Sequence, residues 1–168
     1  MPGDTERFMD NNELMDAITW YQQQGDSHPL TCGIDSRHDL LVPRIDGNDV
    51  VLVCPTCGNV QQYIPEGIVE LHDSVKPALV FLDRLRDAAG SIIEFPSPTF
   101  YQSFQGIDVL YLFENGIQID LVLSRVVDGP SGVVAEKGEN KFEKNFVLND
   151  VVIIDNLVEW LQKVVSGE

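Results

Sequence analysis

Basic residues, cysteines and long apolar runs are all scarce in this sequence. Lysine and arginine number 11 against 27 aspartates and glutamates in 168 residues, which gives a formal net charge of -16. Affinity for nucleic acid comes largely from basic side chains that displace counterions, so we do not expect direct binding to a phosphate backbone. The acidic residues are spread along the whole chain, and we interpret them as a highly solvated surface. Mimicry of nucleic acid and a cationic partner surface are the alternatives.

The sequence also lacks the patterns of membrane spans and export signals. No stretch approaches the roughly 18 apolar residues that a membrane helix needs. The N-terminal residues are acidic and lack the basic start and apolar stretch of a secretory signal. We therefore expect a soluble protein with no signal peptide, no transmembrane segment and no membrane partner, either cytoplasmic or assembled into a particle.

The motifs of common catalytic sites are missing as well. The sequence contains no G-x-S-x-G, no phosphate-cradling G-x-x-x-x-G-K and no H-E-x-x-H. Carboxylate pairs among Asp108, Glu114 and Asp120 are expected by chance at this charge density. We therefore expect a protein that is not an enzyme. A metal-dependent enzyme stays an alternative and would need an open position on its metal.

Hydrophobic periodicity predicts three helices separated by β-rich segments. Residues 11–24, residues 73–90 and the residues from 155 onward each repeat apolar side chains at helical spacing. Short β-runs around the turn signal DGN predict three strands between residues 40 and 64. Residues 128–141 are interpreted as a glycine-rich connection that contains at most a brief strand.

The dipeptide Asn115-Gly116 separates two β-rich runs and is typical of a two-residue type I′ hairpin turn. This turn pairs Glu114 with Ile117, and the resulting register predicts a core face and a half-polar opposite face. The predicted core face carries Leu110, Leu112, Ile119, Leu121 and Leu123. The predicted opposite face carries Tyr111, Phe113, Gln118, Asp120 and Ser124.

Two of the three cysteines, Cys54 and Cys57, lie in the stretch CPTCG. A Cys-Pro-x-Cys-Gly turn directs two thiolates at one ion, and its glycine permits the left-handed backbone that this requires. A thioredoxin-like redox pair would precede a helix, whereas this pair lies between two predicted strands. An odd number of cysteines without an export signal does not suit a disulfide framework. We therefore predict a zinc knuckle.

Zinc in a structural site takes four ligands, so this pair needs two more. The segment HPLTCGIDSRHDLL supplies Cys32 and, just before the first predicted strand, His38. His28 is the competing fourth ligand, and Asp35 is a weaker one. His72 lies outside this unit, and we expect it on the surface or at a helix start. The predicted structural Zn²⁺ site is Cys32, His38, Cys54 and Cys57.

Residues 30–66 resemble the zinc-ribbon class, which combines a knuckle, a β-hairpin, a second knuckle and a third strand. The segment LTCG followed by LVCPTCGNVQ is similar to small ribbons of bacterial and phage proteins. The first half departs from the usual C-x-x-C, because it offers Cys-x5-His. The resemblance implies a binding or stabilising module, as in transcription factors, ribosomal proteins and viral assemblies, and does not choose among these roles.

The fold class expected from these patterns is α+β. An N-terminal helix and a three-stranded zinc ribbon are followed by a helix, an antiparallel hairpin sheet and a C-terminal helix. The predicted segments are an N-terminal helical segment at 1–29, the zinc ribbon at 30–66 and an α+β domain at 67–168.

A second feature is the segment EFPSPTFYQSFQG at residues 94–106, which interleaves aromatic residues with prolines. Prolines keep a chain extended, and aromatic side chains supply a large contact area at low entropic cost. If it is exposed, this segment binds a partner through Phe95, Phe100, Tyr101 and Phe104. The alternative is that these aromatic side chains cover the core above the hairpin.

The function expected from the sequence is that of a non-enzymatic zinc-ribbon protein that acts through protein-protein contacts. A structural subunit of a phage-type particle or another large assembly fits this description. The main alternative is an acidic regulatory or inhibitory protein that occupies a basic site on a nucleic-acid enzyme. This class includes phage-encoded proteins. Strong salt dependence of partner binding would favour that alternative.

Overall fold

The computed structural model describes residues 10–24 and 28–167. Glu168 and parts of the predicted N-terminal segment, residues 1–9 and 25–27, lie outside the described residues. The fold class is α+β, with a helix first, a helix last and two antiparallel sheets between them. The helices and strands are α1 (Asn11–Gln22), β1 (Val42–Asp46), β2 (Asp49–Val53), β3 (Val60–Gln61), α2 (Gly67–Ala89), β4 (Thr99–Gln102), β5 (Gly106–Leu112), β6 (Gln118–Ser124), β7 (Ser131–Lys137), β8 (Asn140–Phe146) and α3 (Val152–Ser166).

The chain forms two compact units, and the boundary between them falls within α2. Of the described residues, the first unit contains 10–22 and 28–72, and the second contains 23–24 and 73–167. The division of the chain into three segments, at 1–29, 30–66 and 67–168, stays a prediction from the sequence.

The first unit packs α1 against the sheet β1-β2-β3. The predicted DGN turn joins β1 to β2, with Asp46 paired to Asp49 and Gly47 at a φ of 64°. Glycine suits this position because an L side chain is strained at positive φ. The buried core of this unit consists of Ala17, Ile18, Cys32, Leu41, Val50, Leu52, Cys54 and Ile68. Two of the three cysteines therefore belong to the core of the first unit.

The second unit contains a five-stranded antiparallel sheet in the order β4-β5-β6-β7-β8. Its inner face packs against α2 and α3, since Phe81 of α2 stacks on Phe146 at 5.0 Å between ring centroids and Trp160 of α3 lies 6.4 Å from Phe142. The glycine-rich segment forms a complete hairpin, in which Lys137 pairs with Asn140 across a turn at Gly138. The sequence predicted at most a brief strand there, whereas the structure has two seven-residue strands, β7 and β8.

The turn between β5 and β6 differs from the prediction by one residue. The Phe113 N–H donates to the Ile117 carbonyl at 2.9 Å, and the Gly116 N–H donates to the Phe113 carbonyl at 3.0 Å. The loop therefore has three residues and ends on Gly116 at a φ of 84°, as in a type I turn followed by a bulge. Leu112 consequently pairs with Gln118.

The extra loop residue moves every side chain of β5 to the other face of the sheet, because side chains alternate along a strand. Tyr111 and Phe113 are buried in the core, whereas Leu112 is 59% exposed, so the predicted faces were wrong for β5. The prediction was right for Ile119, Leu121 and Leu123 of β6, all of which are fully buried. Phe95 packs edge-on against Tyr111 at 5.0 Å.

None of the helices in the described part of the chain is both long enough and apolar enough to cross a membrane.

Candidate metal centre

Two loops of the first unit bring three thiols and one imidazole together. The ligand atoms of Cys32, His38, Cys54 and Cys57 all lie within 4.8 Å of one another. The Sγ atoms of Cys32 and Cys57 are 3.6 Å apart, and His38 Nδ1 lies 3.7 Å from Cys54 Sγ. All three cysteines are free thiols. The four residues can bind a metal ion, and sulfur and imidazole ligands suit transition metals more than calcium or magnesium.

The loop after β2 has the backbone of a metal knuckle. The Cys54 N–H donates to the Asn59 carbonyl at 2.9 Å, and the Gly58 N–H donates to the Cys54 carbonyl at 2.8 Å. Gly58 has a φ of 73°, the left-handed conformation expected after the second cysteine. The N–H groups of Cys57 and Thr56 lower the pKa of the Cys54 thiol. The loop thus supplies donors that stabilise a thiolate.

The loop before β1 repeats this arrangement around Cys32. The Ile34 N–H donates to the Cys32 sulfur at 3.4 Å, and the Asp35 N–H lowers the pKa of this thiol. The His38 N–H then donates to the Asp35 carbonyl at 3.1 Å. This hydrogen bond turns the chain back toward the three cysteines. A histidine therefore takes the place of the second cysteine of this knuckle.

The side chain of Gln22, at the end of α1, closes the loop that carries Cys32 and His38. Its Nε2 donates to the carbonyls of Leu30 at 3.1 Å and Leu41 at 2.8 Å, and its Oε1 accepts the Leu30 N–H at 2.9 Å. Leu41 N–H also donates to the Leu30 carbonyl at 3.0 Å. No signal in the sequence singles out Gln22, because a glutamine at the end of a helix carries no metal-site signature.

A second contact joins the two loops to each other. The Asp39 N–H donates to Thr56 Oγ1 at 3.1 Å, and Thr56 Oγ1 donates to the Asp39 carboxylate at 3.0 Å. Since Asp39 follows His38 and Thr56 lies between Cys54 and Cys57, these two hydrogen bonds fix the spacing of the ligands.

The thiols of the group differ in acidity. Hydrogen bonds from the N–H groups of Asp35 and then Ile34 lower the pKa of Cys32 to about 6. Desolvation raises the pKa of Cys54, but the N–H groups of Cys57 and Thr56 outweigh it, so this pKa is lowered overall. The pKa of Cys57 is raised: the N–H of Asn59 lowers it, and desolvation and the adjacent sulfurs of Cys54 and Cys32 outweigh that effect.

His38 carries the complementary shift. A hydrogen bond with Cys32 raises the pKa of the imidazole, and the Cys54 sulfur acts in the same direction. The four side chains therefore place negative charge on closely spaced sulfur atoms. This charge stabilises a cation next to them. A metal cation bound by the four side chains would neutralise this charge better than one imidazolium ion.

The other histidines and Asp35 lie outside the group of four. His28 is exposed, and its carbonyl accepts the Tyr21 hydroxyl at 3.1 Å. The carboxylate of Asp35 pairs with Arg37 at 2.7 Å, and Arg37 lowers the pKa of Asp35 to about 2. His72, expected on the surface or at a helix start, is buried in the second turn of α2, with its ring 5.6 Å from that of Trp20.

The aromatic segment at 94–106 divides between core and surface. Phe100 is buried, and Phe95 packs on Tyr111 and Phe113. Tyr101 is 40% exposed, and Phe104 is fully exposed at the turn between β4 and β5. Of the four residues predicted to bind a partner, two thus face solvent.

Comparison with protein-family models, with curated proteins and with solved structures finds no match to this chain.

Proposed function

We propose that the group Cys32, His38, Cys54 and Cys57 holds one structural Zn²⁺. A tetrahedral zinc with ligand bonds of about 2.3 Å to sulfur has edges of about 3.8 Å between ligand atoms. The two measured separations, 3.6 Å between sulfur atoms and 3.7 Å between sulfur and nitrogen, match such edges. Three thiolates and one imidazole form a common structural zinc set.

The proposed zinc stabilises the fold and performs no chemistry on a substrate. A catalytic zinc keeps one position for water or substrate, whereas four protein ligands fill a tetrahedral site. Cys32 and Cys54 are also nearly inaccessible to solvent, with 4% and 0% exposure. The closed set of four ligands is the observation that carries the proposal of a non-enzymatic protein.

We further propose a zinc ribbon that acts through protein-protein contacts, as a structural subunit of a phage-type particle or another large assembly. The order of knuckle, hairpin, second knuckle and short third strand supports the ribbon. Exposed apolar side chains in the same unit support protein contacts: Ile34, two positions after Cys32, is 71% exposed and Tyr63 is 75% exposed. The acidic charge of the chain disfavours a role on nucleic-acid backbones.

Metal analysis of the purified protein tests the zinc site. We expect about one zinc per chain and its loss in the variant Cys54→Ser, because a serine hydroxyl is a poor zinc ligand. Ser36→Ala, in the same loop as Cys32, is the control and should keep the metal. A protein that contains no zinc and whose unfolding is unaffected by chelator or added zinc would contradict the proposal.

Sedimentation of the native protein tests the assembly role. A structural subunit should sediment with a particle much larger than the 18.8 kDa chain. If the native protein is always a free monomer while its zinc is retained, the assembly role is wrong and the zinc site stands.

A further inference from the structure

The five-stranded sheet of the second unit has an apolar strip on the side away from α2 and α3. We call this side the outer face. It carries Tyr101 of β4, Leu110 and Leu112 of β5, Val122 of β6 and Val134 of β7. The strand registers make Tyr101, Leu110, Val122 and Val134 diagonal neighbours in turn, with carboxylates directly opposite them. Leu112 is 59% exposed, Val122 41% and Tyr101 40%. An apolar strip of this size on one face is typical of a binding surface.

Two carboxylates interrupt this strip on neighbouring strands. Asp120 pairs with Leu110, and Asp108 pairs with Val122, so the two carboxylates are diagonal neighbours on the same face. The Oδ1 atom of Asp108 is buried and accepts no hydrogen bond from the described residues. Burial and then the charge of Asp108 raise the pKa of Asp120. Like charges placed this way on a half-buried sheet destabilise it.

No described basic side chain neutralises this pair. Lys141, the basic residue of the outer face on β8, lies 2.8 Å from Glu143 and 4.0 Å from Glu136. Asp108 and Asp120 form no ion pair among the described residues, and their neighbours on the face, Leu110 and Val122, are apolar. The outer face therefore offers a cation site with apolar residues on both sides.

A shallow cavity lies beside Asp120 on the same face. Its volume is about 310 Å³, and Val122, Val134 and Glu143 are among its lining residues. Gly132 forms its floor between Val122 and Asn145, where the absence of a side chain leaves a depression in the sheet. Lys144 also borders the cavity. The depression has room for one large apolar side chain of a partner.

We infer that the outer face binds a basic amphipathic α-helix of another protein, with a lysine or arginine of that helix between Asp108 and Asp120. The apolar strip extends over four adjacent strands, a width of roughly 14 Å at the usual strand spacing, close to the diameter of one helix with its side chains. Helices already cover the inner face of this sheet, and layers of helix on sheet are a stable arrangement.

Charge complementarity favours a basic helix over a second copy of the chain as the partner of the outer face. Two copies that met through the outer face would bring the carboxylates of both copies, Asp108 and Asp120 of each, into one interface, since a two-fold interface uses the same patch twice. With a formal net charge of -16 on each chain, long-range repulsion adds to this cost. A cationic helix instead relieves the repulsion between the two carboxylates.

The inference deepens the proposed function, because it rests on action through protein contacts and names the chemistry of a partner. It involves no atom of the metal centre. The zinc content and helix binding are therefore separate measurements, and a failure of one leaves the other standing.

Calorimetric titration of the full zinc-loaded chain with three synthetic peptides tests the inference. The first peptide is an amphipathic helix with leucine on one face and lysine on the other; the second has glutamate for lysine, and the third has serine for leucine. We expect binding of the first peptide only, centred on the outer face in amide chemical-shift maps. Tight binding of the serine peptide would show general attraction to acidic charge and would overturn the inference.

Two double variants with equal change of charge make the test specific to the site. Asp108→Asn with Asp120→Asn should weaken binding of the leucine-lysine peptide at least about tenfold. Asp87→Asn with Asp155→Asn removes two exposed carboxylates from α2 and α3 and should change binding by less than about twofold. Equal weakening by both variants would overturn the inference. The first variant removes a repulsion, so its thermal midpoint should not fall, which separates lost binding from unfolding.

Discussion

The sulfur atoms of Cys32 and Cys57 lie 3.6 Å apart although 25 positions separate these residues in the sequence. They belong to different loops, and the antiparallel strands β1 and β2 between these loops bring the two sulfur atoms together. This proximity turns two half-sites into one group of ligands.

Replacement of His38 distinguishes the fourth ligand. His38→Ala removes a donor atom from the group and should weaken zinc binding at least about 100-fold, since even outer-shell changes cost 10- to 100-fold. His28→Ala is the matched control: His28 is exposed and outside the group, so zinc affinity should stay within about twofold. Competition with a chromophoric chelator measures both values. Equal losses in the two variants would contradict the assignment.

The acidity of Cys32 predicts how many protons zinc displaces. With a pKa of about 6, Cys32 is a thiolate at neutral pH before metal arrives, whereas the raised pKa of Cys57 keeps its proton. Four protonated ligands would release four protons, three from the thiols and one from the imidazolium of His38. Zinc binding near pH 7.5 should therefore release fewer than four, as calorimetry in buffers of different ionisation enthalpy would measure. Release of four protons would show that the Cys32 loop is not formed without metal.

The lowered pKa of Cys32 also sets the sign of the pH dependence of the stability of the metal-free protein. Between about pH 9, the ordinary value, and about pH 6, the unfolded chain binds a proton at Cys32 that the folded chain does not. This contribution to the stability of the metal-free protein is complete above the ordinary pKa and is lost as the pH falls through about 6. His38 acts in the opposite direction, because its raised pKa favours folding at low pH. Cys32→Ser should remove the first effect and reduce the second, because Cys32 is the main cause of the raised pKa of His38.

Gln22 is predicted to support the metal site without binding the metal. Gln22→Leu removes three hydrogen bonds to Leu30 and Leu41 and should destabilise the first unit by about 2 kcal/mol. Urea unfolding followed by Trp20 fluorescence, with Trp160 replaced by Phe, reports on this unit. Gln23→Leu, at an exposed neighbouring position, is the control. No difference between the two variants would contradict the role assigned to Gln22.

Gly106 is predicted to be irreplaceable for steric reasons. A Cβ atom at this position would lie 1.7 Å from the Leu123 carbonyl oxygen, so β5 and β6 would have to separate. Gly106→Ala should cost at least about 3 kcal/mol, measured by Trp160 fluorescence in denaturant. At Gly132 the nearest atom to an added Cβ is Asn145 Oδ1 at 3.5 Å, and Gly132→Ala should change stability by no more than about 1 kcal/mol. Similar losses in both variants would contradict this explanation.

The hairpin of β5 and β6 shows where sequence patterns were insufficient. Alternation identified both strands, and it placed Ile119, Leu121 and Leu123 in the core correctly. The loop length decided the register, and Asn115-Gly116 fits both a two-residue and a three-residue loop. Burial of Tyr111 and Phe113 against Phe95 is compatible only with the longer loop, and such a contact between distant segments leaves no local signal.

The sequence by itself determined the local features of this protein. The CPTCG turn and its glycine specify a knuckle, because φ preferences act within a few residues. The α+β order follows in the same way, since hydrophobic periodicity reflects the geometry of each single element. Tertiary structure decided what depends on distance in space. It brought His38 and not His28 to the three sulfur atoms, placed Gln22 across the ligand loop, and set Asp108 beside Asp120 on an apolar face. Contacts between residues far apart in sequence arise from packing of the whole unit, and no short segment encodes them.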